Sequence, residues 1–216
     1  MLKDKWKTIW NKNEHEEWIS IENQYFDRVK EENLNLEKEL NCFQLKDLWE
    51  WSSDEFKTFL NDKYFVWKYT DSRRLATTRR CLDNISNAEL LFVLKALKII
   101  DDDLSNMKKY DKYEIKVGLQ LVTMIPGLGV AGASGLLSVL FPDFFGTVDQ
   151  FVVEALKDAD VDTGVKNSQS LSIKDAIVLE EIMYNKAEEL NRKNKINYWT
   201  PRRIDKVLWT YRTEET

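Results

Sequence analysis

The sequence predicts an all-α protein of about ten helices. Three observations predict it. Only seven glycines and three prolines punctuate 216 residues, too few for a succession of short strands and tight turns. Apolar residues recur at helical rather than alternating spacing along most of the chain. Several stretches also open on helix-start signals, among them Ser86-Asn87-Ala88-Glu89 and Thr200-Pro201.

Taken in order, residues 14–43 form the longest helical candidate. Trp18, Ile21, Tyr25, Val29, Leu36, Leu40 and Phe43 recur near helical spacing with Glu and Lys between them. They read as one amphipathic helix or two, or as a partner-binding arm, and the seam lapses at Asn33. A short helix is expected over residues 44–51, then one capped by Ser52 or Ser53 and running to about Leu60. Residues 61–72 read as a loop around the aromatic piece Tyr64-Phe65-Val66-Trp67-Lys68-Tyr69. A helix carrying Arg73, Arg74, Arg79 and Arg80 follows. Ser86 and Glu89 form a capping box for an apolar helix to about Ile100. Residues 111–124 read as a helix ended by Pro126, and residues 130–140 as one rich in small residues. Thr147 or Asp149 starts the next, to about Lys157, and residues 158–171 are a polar loop. Ser172-Ile173-Lys174-Asp175 starts a helix to about Asn191, and Thr200-Pro201 starts the last, to about Arg212.

Composition excludes several chemistries. Two cysteines, Cys42 and Cys81, make neither a disulfide framework nor a four-cysteine cluster. His15 is the only histidine, so serine–histidine triads and histidine metal sites are nearly excluded. No metal and no cofactor is expected. The first residues, Met1-Leu2-Lys3-Asp4-Lys5-Trp6, lack a signal peptide's apolar stretch, and a cytoplasmic location is expected. Net charge is −5, and it is unevenly placed: residues 13–55 hold 13 Asp/Glu against 4 Lys/Arg. The organisation expected is an acidic helical region over residues 1–60, packed on a body over residues 61–216, with a helical hairpin at 115–140.

Residues 117–142 carry no charge. A membrane span is not expected there, because Pro126, Gly127 and Gly129 divide the segment into two short pieces. Gly127-x-Gly129-x-x-Gly132 matches the dinucleotide fingerprint in spacing, but no strand precedes it. What remains is a turn, Ile125-Pro126-Gly127-Leu128-Gly129, between two apolar helices. Leu128 plugs the core while the glycines reverse the chain, leaving the N–H groups of residues 129–131 free for a phosphate oxygen. An ordinary helix hairpin that touches no ligand has the same pattern.

This turn, the small-residue stretch Ala131-Gly132-Ala133-Ser134-Gly135 and then Val148-Asp149 resemble the helix-hairpin-helix (HhH-GPD) DNA glycosylase superfamily. The close resemblance covers about residues 115–157, and the spacing from Gly129 to Asp149 is that of the family. More loosely, Phe65-Val66-Trp67-Lys68 and Thr200-Pro201-Arg202-Arg203-Ile204-Asp205-Lys206-Val207-Leu208-Trp209 are similar to a bacterial 8-oxoguanine DNA glycosylase-like branch. The resemblance implies a two-lobed helical fold that flips a damaged or modified base into a cleft and breaks its N-glycosidic bond. Gly127, Leu128, Gly129 and Ala131 would meet the DNA backbone. Asp149 would be catalytic: ionised beside a helix N-terminus, it would stabilise the oxocarbenium-like sugar and orient a water. It also reads as a simple helix cap. Family members that cut the backbone carry a lysine where this chain has Ala131, so hydrolysis without lyase activity is expected.

Candidate DNA contacts are Arg73, Arg74, Arg79 and Arg80, which fall broadly on one side of a helix, with Arg202, Arg203 and Lys206. Trp67 and Trp209 are candidates for stacking on a flipped base, and equally for the core. DNA is the expected partner and a membrane is not. The alternative is a non-catalytic DNA- or protein-binding module of the same fold, its acidic residues 14–55 forming the protein interface.

Overall fold

A computed structural model describes residues 2–42, 44–107 and 110–212. Among the described residues the chain is helical and contains no strand. Its elements are α1 (Leu2–Lys12), α2 (His15–Arg28), α3 (Glu31–Cys42), α4 (Leu45–Leu48) and α5 (Ser53–Phe59). A π-helical turn, Leu60–Tyr64, joins α5 to α6 (Phe65–Lys68), and α7 (Ser72–Leu82) follows. The rest are α8 (Asn87–Asn106), α9 (Lys112–Val122), α10 (Val130–Leu140), α11 (Gln150–Asp158), α12 (Ile173–Asn194) and α13 (Pro201–Arg212).

The starts follow the capping signals. Ser52, Ser86 and Ser172 each accept from the backbone three residues on, and Glu55, Glu89 and Asp175 each reach back to complete a capping box. Asp71 and Asp111 cap α7 and α9. One expectation needs correction, and two further points are settled. Residues 61–68 are not loop: α5, the π turn and α6 run on as one helical stretch, because Phe56, Leu60, Tyr64 and Phe65 all bury on one side. Of the two readings of residues 14–43, one helix or two, the second holds: the chain breaks where Val29 leaves helical geometry (ψ 134°), and Phe43 lies outside the described residues. Residues 2–12, assigned no element from sequence, form α1, with Trp6 and Trp10 one helical turn apart on its buried face.

α13 is the hub of the packing and touches α2, α10, α11 and α12. Trp6 stacks on Tyr211 at 4.5 Å between ring centroids, and Trp10, Trp18 and Trp199 extend the cluster. The Trp6 indole N–H donates to the Ala155 carbonyl of α11 (2.8 Å). The acidic N-terminal region is thus built into the core that holds the rest of the chain, and the boundary expected near residue 60 falls inside the α5–α6 stretch.

α10 is buried along almost its whole length. It admits neighbours closely because its inner positions are small: the Tyr64 hydroxyl donates to the Gly132 carbonyl, and a Cβ on Gly135 would lie 2.8 Å from that hydroxyl. In the turn before α10, Gly127 has φ +92°, and a Cβ there would meet Cys81 Cβ at 3.0 Å and the Thr78 carbonyl oxygen at 3.1 Å. Gly129 has open space around its Cβ position. Gly127→Ala should therefore destabilise the protein by about 1–3 kcal/mol, and Gly129→Ala by less. Urea unfolding of the two variants checks this, and equal losses would contradict it.

Candidate functional site

The hairpin of α9 and α10 turns on two buried plugs, Ile125 and Leu128, with the Leu128 N–H donating to the Ile125 carbonyl (3.1 Å). Gly129 is the N-cap of α10. Its carbonyl accepts from Ala133 N–H (2.8 Å), and no side chain caps the helix. The first amides of α10, on Val130, Ala131 and Gly132, therefore have no helical acceptor and lie along an open groove.

Asp149 sits at the next helix start. As the N-cap of α11, its Oδ1 accepts from the N–H groups of Phe151 (2.9 Å) and Val152 (3.2 Å). The loop that delivers it is fixed by three side chains from three helices. Gly146 N–H donates to Glu180 Oε2 on α12 (2.8 Å), Thr147 N–H to Asp205 Oδ2 on α13 (3.0 Å), and Val148 N–H to Ser134 Oγ on α10 (2.9 Å).

Two cavities meet at Asp149. An inner one of about 240 Å³ is walled by Tyr25, Trp67 and Trp209 and by the charged groups of Arg202, Asp205 and Lys206. An outer groove of about 640 Å³ runs from Asp149 past Tyr69 and Arg74 to the N-terminus of α10. Lys68, Thr70, Asp149 and Phe151 border both. The start of α10, the aspartate and an aromatic recess thus line two adjoining cavities that share four residues.

The charges in these cavities perturb one another. Burial pushes the Asp149 carboxyl above the ordinary aspartate range and Asp205 adds to the push, against Lys68 and the two α11 amides. The two α11 amides favour the ionised form, as expected for a helix N-terminus, and burial acts against them as the larger effect. Burial likewise lowers the Lys68 amine, against the pull of Asp149 and Asp205. Glu37 on α3 would be raised by burial, but Arg202 and Lys206 hold it below the usual carboxylate range.

The candidate DNA-contact residues divide into two groups. Arg73, Arg74 and Arg80 on α7 are exposed, and Arg74 lies over the Tyr69 ring (5.5 Å) at the edge of the outer groove. Arg79 turns inward to the Asn61 carbonyl (3.1 Å). The α13 cations are engaged with acids. Arg202, 7% exposed, pairs with Asp205 (2.9 Å) and lies over Trp67 (4.8 Å). Arg203 pairs with Glu22 (2.6 Å) and Lys206 with Glu37 (2.5 Å). These three are parts of the cavity wall and its support rather than a free phosphate-binding face. Trp67 and Trp209 both border the inner cavity, with Trp209 edge-on to Tyr25 (5.4 Å).

Sequence reasoning missed Lys68, Asp205, Glu180 and Ser134. Lys68 and Asp205 stand inside stretches singled out above, but their partners are distant in sequence. Among the described residues, no group of three or more His, Cys, Asp or Glu gathers as a metal site. Comparison with family models, with curated proteins and with solved structures finds no match.

Glu180 gives a test of this support. Burial raises its carboxyl well above the ordinary value of 4.5. The folded state therefore keeps a proton that the unfolded chain releases. The stability this contributes is complete below the unfolded pKa and is lost as pH rises toward the folded one. The thermal midpoint of the wild type should fall relative to that of Glu180→Gln as pH rises from about 4 to about 8. Parallel midpoints across that range would show that Glu180 does not carry the proton.

Proposed function

We propose that the chain is a monofunctional DNA glycosylase-like protein of helix-hairpin-helix type, hydrolysing the N-glycosidic bond of a flipped damaged or modified base. The observation that carries the reading is a pair of adjoining cavities that share Asp149, a groove at the N-terminus of α10 and an aromatic recess. Each part suits one step. Unpaired amides at a helix start, with Arg74 beside them, suit a backbone phosphate. A recess of about 240 Å³ walled by Trp67, Trp209 and Tyr25 suits one base, held by stacking. Asp149, at the junction, stabilises the cationic sugar as the bond to the base breaks and orients the attacking water. Ala131 stands where a hairpin lysine would act, so strand cutting by that route is absent.

The competing reading is a non-catalytic DNA- or protein-binding module of the same fold. The observation on its side is that Arg203 and Lys206, expected to meet DNA, are neutralised by Glu22 and Glu37.

Base release from a panel of duplexes carrying damaged and modified bases separates the two. The expected outcome is release by the wild type and a fall of about 100-fold or more for Asp149→Asn. No release from any duplex favours the binding module, and full activity in the variant removes Asp149 as the catalytic group. Duplex binding should weaken with salt, and Arg74→Ala should lower both the affinity and the salt slope, by about one counterion. An unchanged slope places the DNA elsewhere.

A further inference from the structure

We propose that Lys68 is a nucleophilic amine of this site, able to form a covalent iminium with the C1′ aldehyde of an abasic deoxyribose. The inference rests on the glycosylase reading and adds to it a chemistry that Ala131 removes from the hairpin.

Position is the first argument. Lys68 is the last residue of α6, and Tyr69 after it is extended (φ −117°, ψ 94°). Its stem rests on α10 at Gly135, where a Cβ would stand 3.2 Å from Lys68 Cε and 3.3 Å from Cδ. Any larger residue at 135 would displace it. The side chain borders both cavities, at the junction marked by Asp149. A sugar whose base has entered the inner recess, with its phosphates in the outer groove, would have C1′ at that junction.

Availability is the second argument. Lys206, the other lysine of the inner cavity, is held by Glu37 at 2.5 Å. Lys68 forms no ion pair within 4.0 Å among the described residues. Burial lowers its amine from the ordinary value of 10.5, which raises the neutral, nucleophilic fraction.

The step balances without a redox partner. The ring-opened abasic sugar presents C1′ as an aldehyde. The neutral Lys68 amine attacks it, a C–N bond forms, and the carbonyl oxygen takes a proton to give a carbinolamine. Loss of water leaves a protonated C=N bond. Water hydrolyses the imine and returns the amine.

The experiment is borohydride trapping of the full chain on a duplex containing one abasic site. Wild type, Lys68→Arg and Lys68→Met are compared, with circular dichroism reporting the fold and peptide mass spectrometry locating the adduct. Lys68→Arg keeps the charge and length but cannot form an imine, so it stands in if the methionine variant misfolds. The expected result is an adduct on the Lys68 peptide of the wild type, reduced about tenfold or more in folded variants. An adduct undiminished in Lys68→Arg overturns the proposal. So does the absence of an adduct from a wild type that retains the abasic duplex in a gel shift. Base release without trapping leaves the glycosylase reading standing and removes Lys68. Trapping without base release does the reverse. Failure to bind either duplex removes both.

Discussion

The site depends on three backbone N–H groups that have no helix to pair with. Gly146, Thr147 and Val148 cross the interior between α10 and α11, and their amides are taken up by Glu180, Asp205 and Ser134. A buried amide left unpaired costs about 1–3 kcal/mol, so the three acceptors stabilise one path for the loop over its alternatives. Asp149 follows directly and has its own carboxylate tied to α11. Its position is therefore set by three helices at once. A surface loop would hold a carboxylate far less firmly.

That arrangement carries an electrostatic requirement. Asp205 is buried, and a buried carboxylate needs a counter-charge. Arg202 supplies it at 2.9 Å and reaches Thr147 Oγ1 at 3.1 Å. Arg202 also faces Glu37 at 3.5 Å, and Glu37 pairs with Lys206 and accepts from the Tyr25 hydroxyl (2.6 Å). The chain of charges runs from the Asp149 loop through α13 to α2 and α3. Two of the acids in the acidic segment, Glu22 and Glu37, are in this way structural parts of the body. Removing one partner from such a network leaves the other buried and unpaired, which costs more than the pair contributes.

What the sequence revealed was local, and what it hid was long-range. The capping boxes at Ser86 and Ser172, the Thr200-Pro201 start and the span of α10 were readable because each signal lies within a few residues. Residues 61–68 were not, since Tyr64-Phe65-Val66-Trp67 is apolar without a clear period, and burial against α10 decides its conformation. α1 is amphipathic, but its helicity gains support only when Trp6 meets Tyr211 at the far end of the chain. The same division holds at the site. The turn and Asp149 were legible from their spacing. The groups that hold the loop before Asp149 lie up to 58 positions from their partners, and no periodicity encodes that.

The charge distribution then bears on nucleic-acid binding differently from the raw totals. Residues 13–55 are strongly acidic, which by itself argues against a polyanionic partner. Yet Glu22 and Glu37 are 2% and 4% exposed and face Arg203, Lys206 and Arg202, so their charge is cancelled inside the protein. The same ion pairs engage the α13 cations, of which Arg202 and Lys206 are largely buried. The surface cations left beside the candidate site are those of α7, which packs on the hairpin where Gly127 meets Thr78 and Cys81. Arg74 opens onto the groove that contains the amides of α10. A phosphate there would meet a guanidinium and a helix start together, and that local pairing, rather than a basic face across the molecule, is what DNA binding by this chain would rest on.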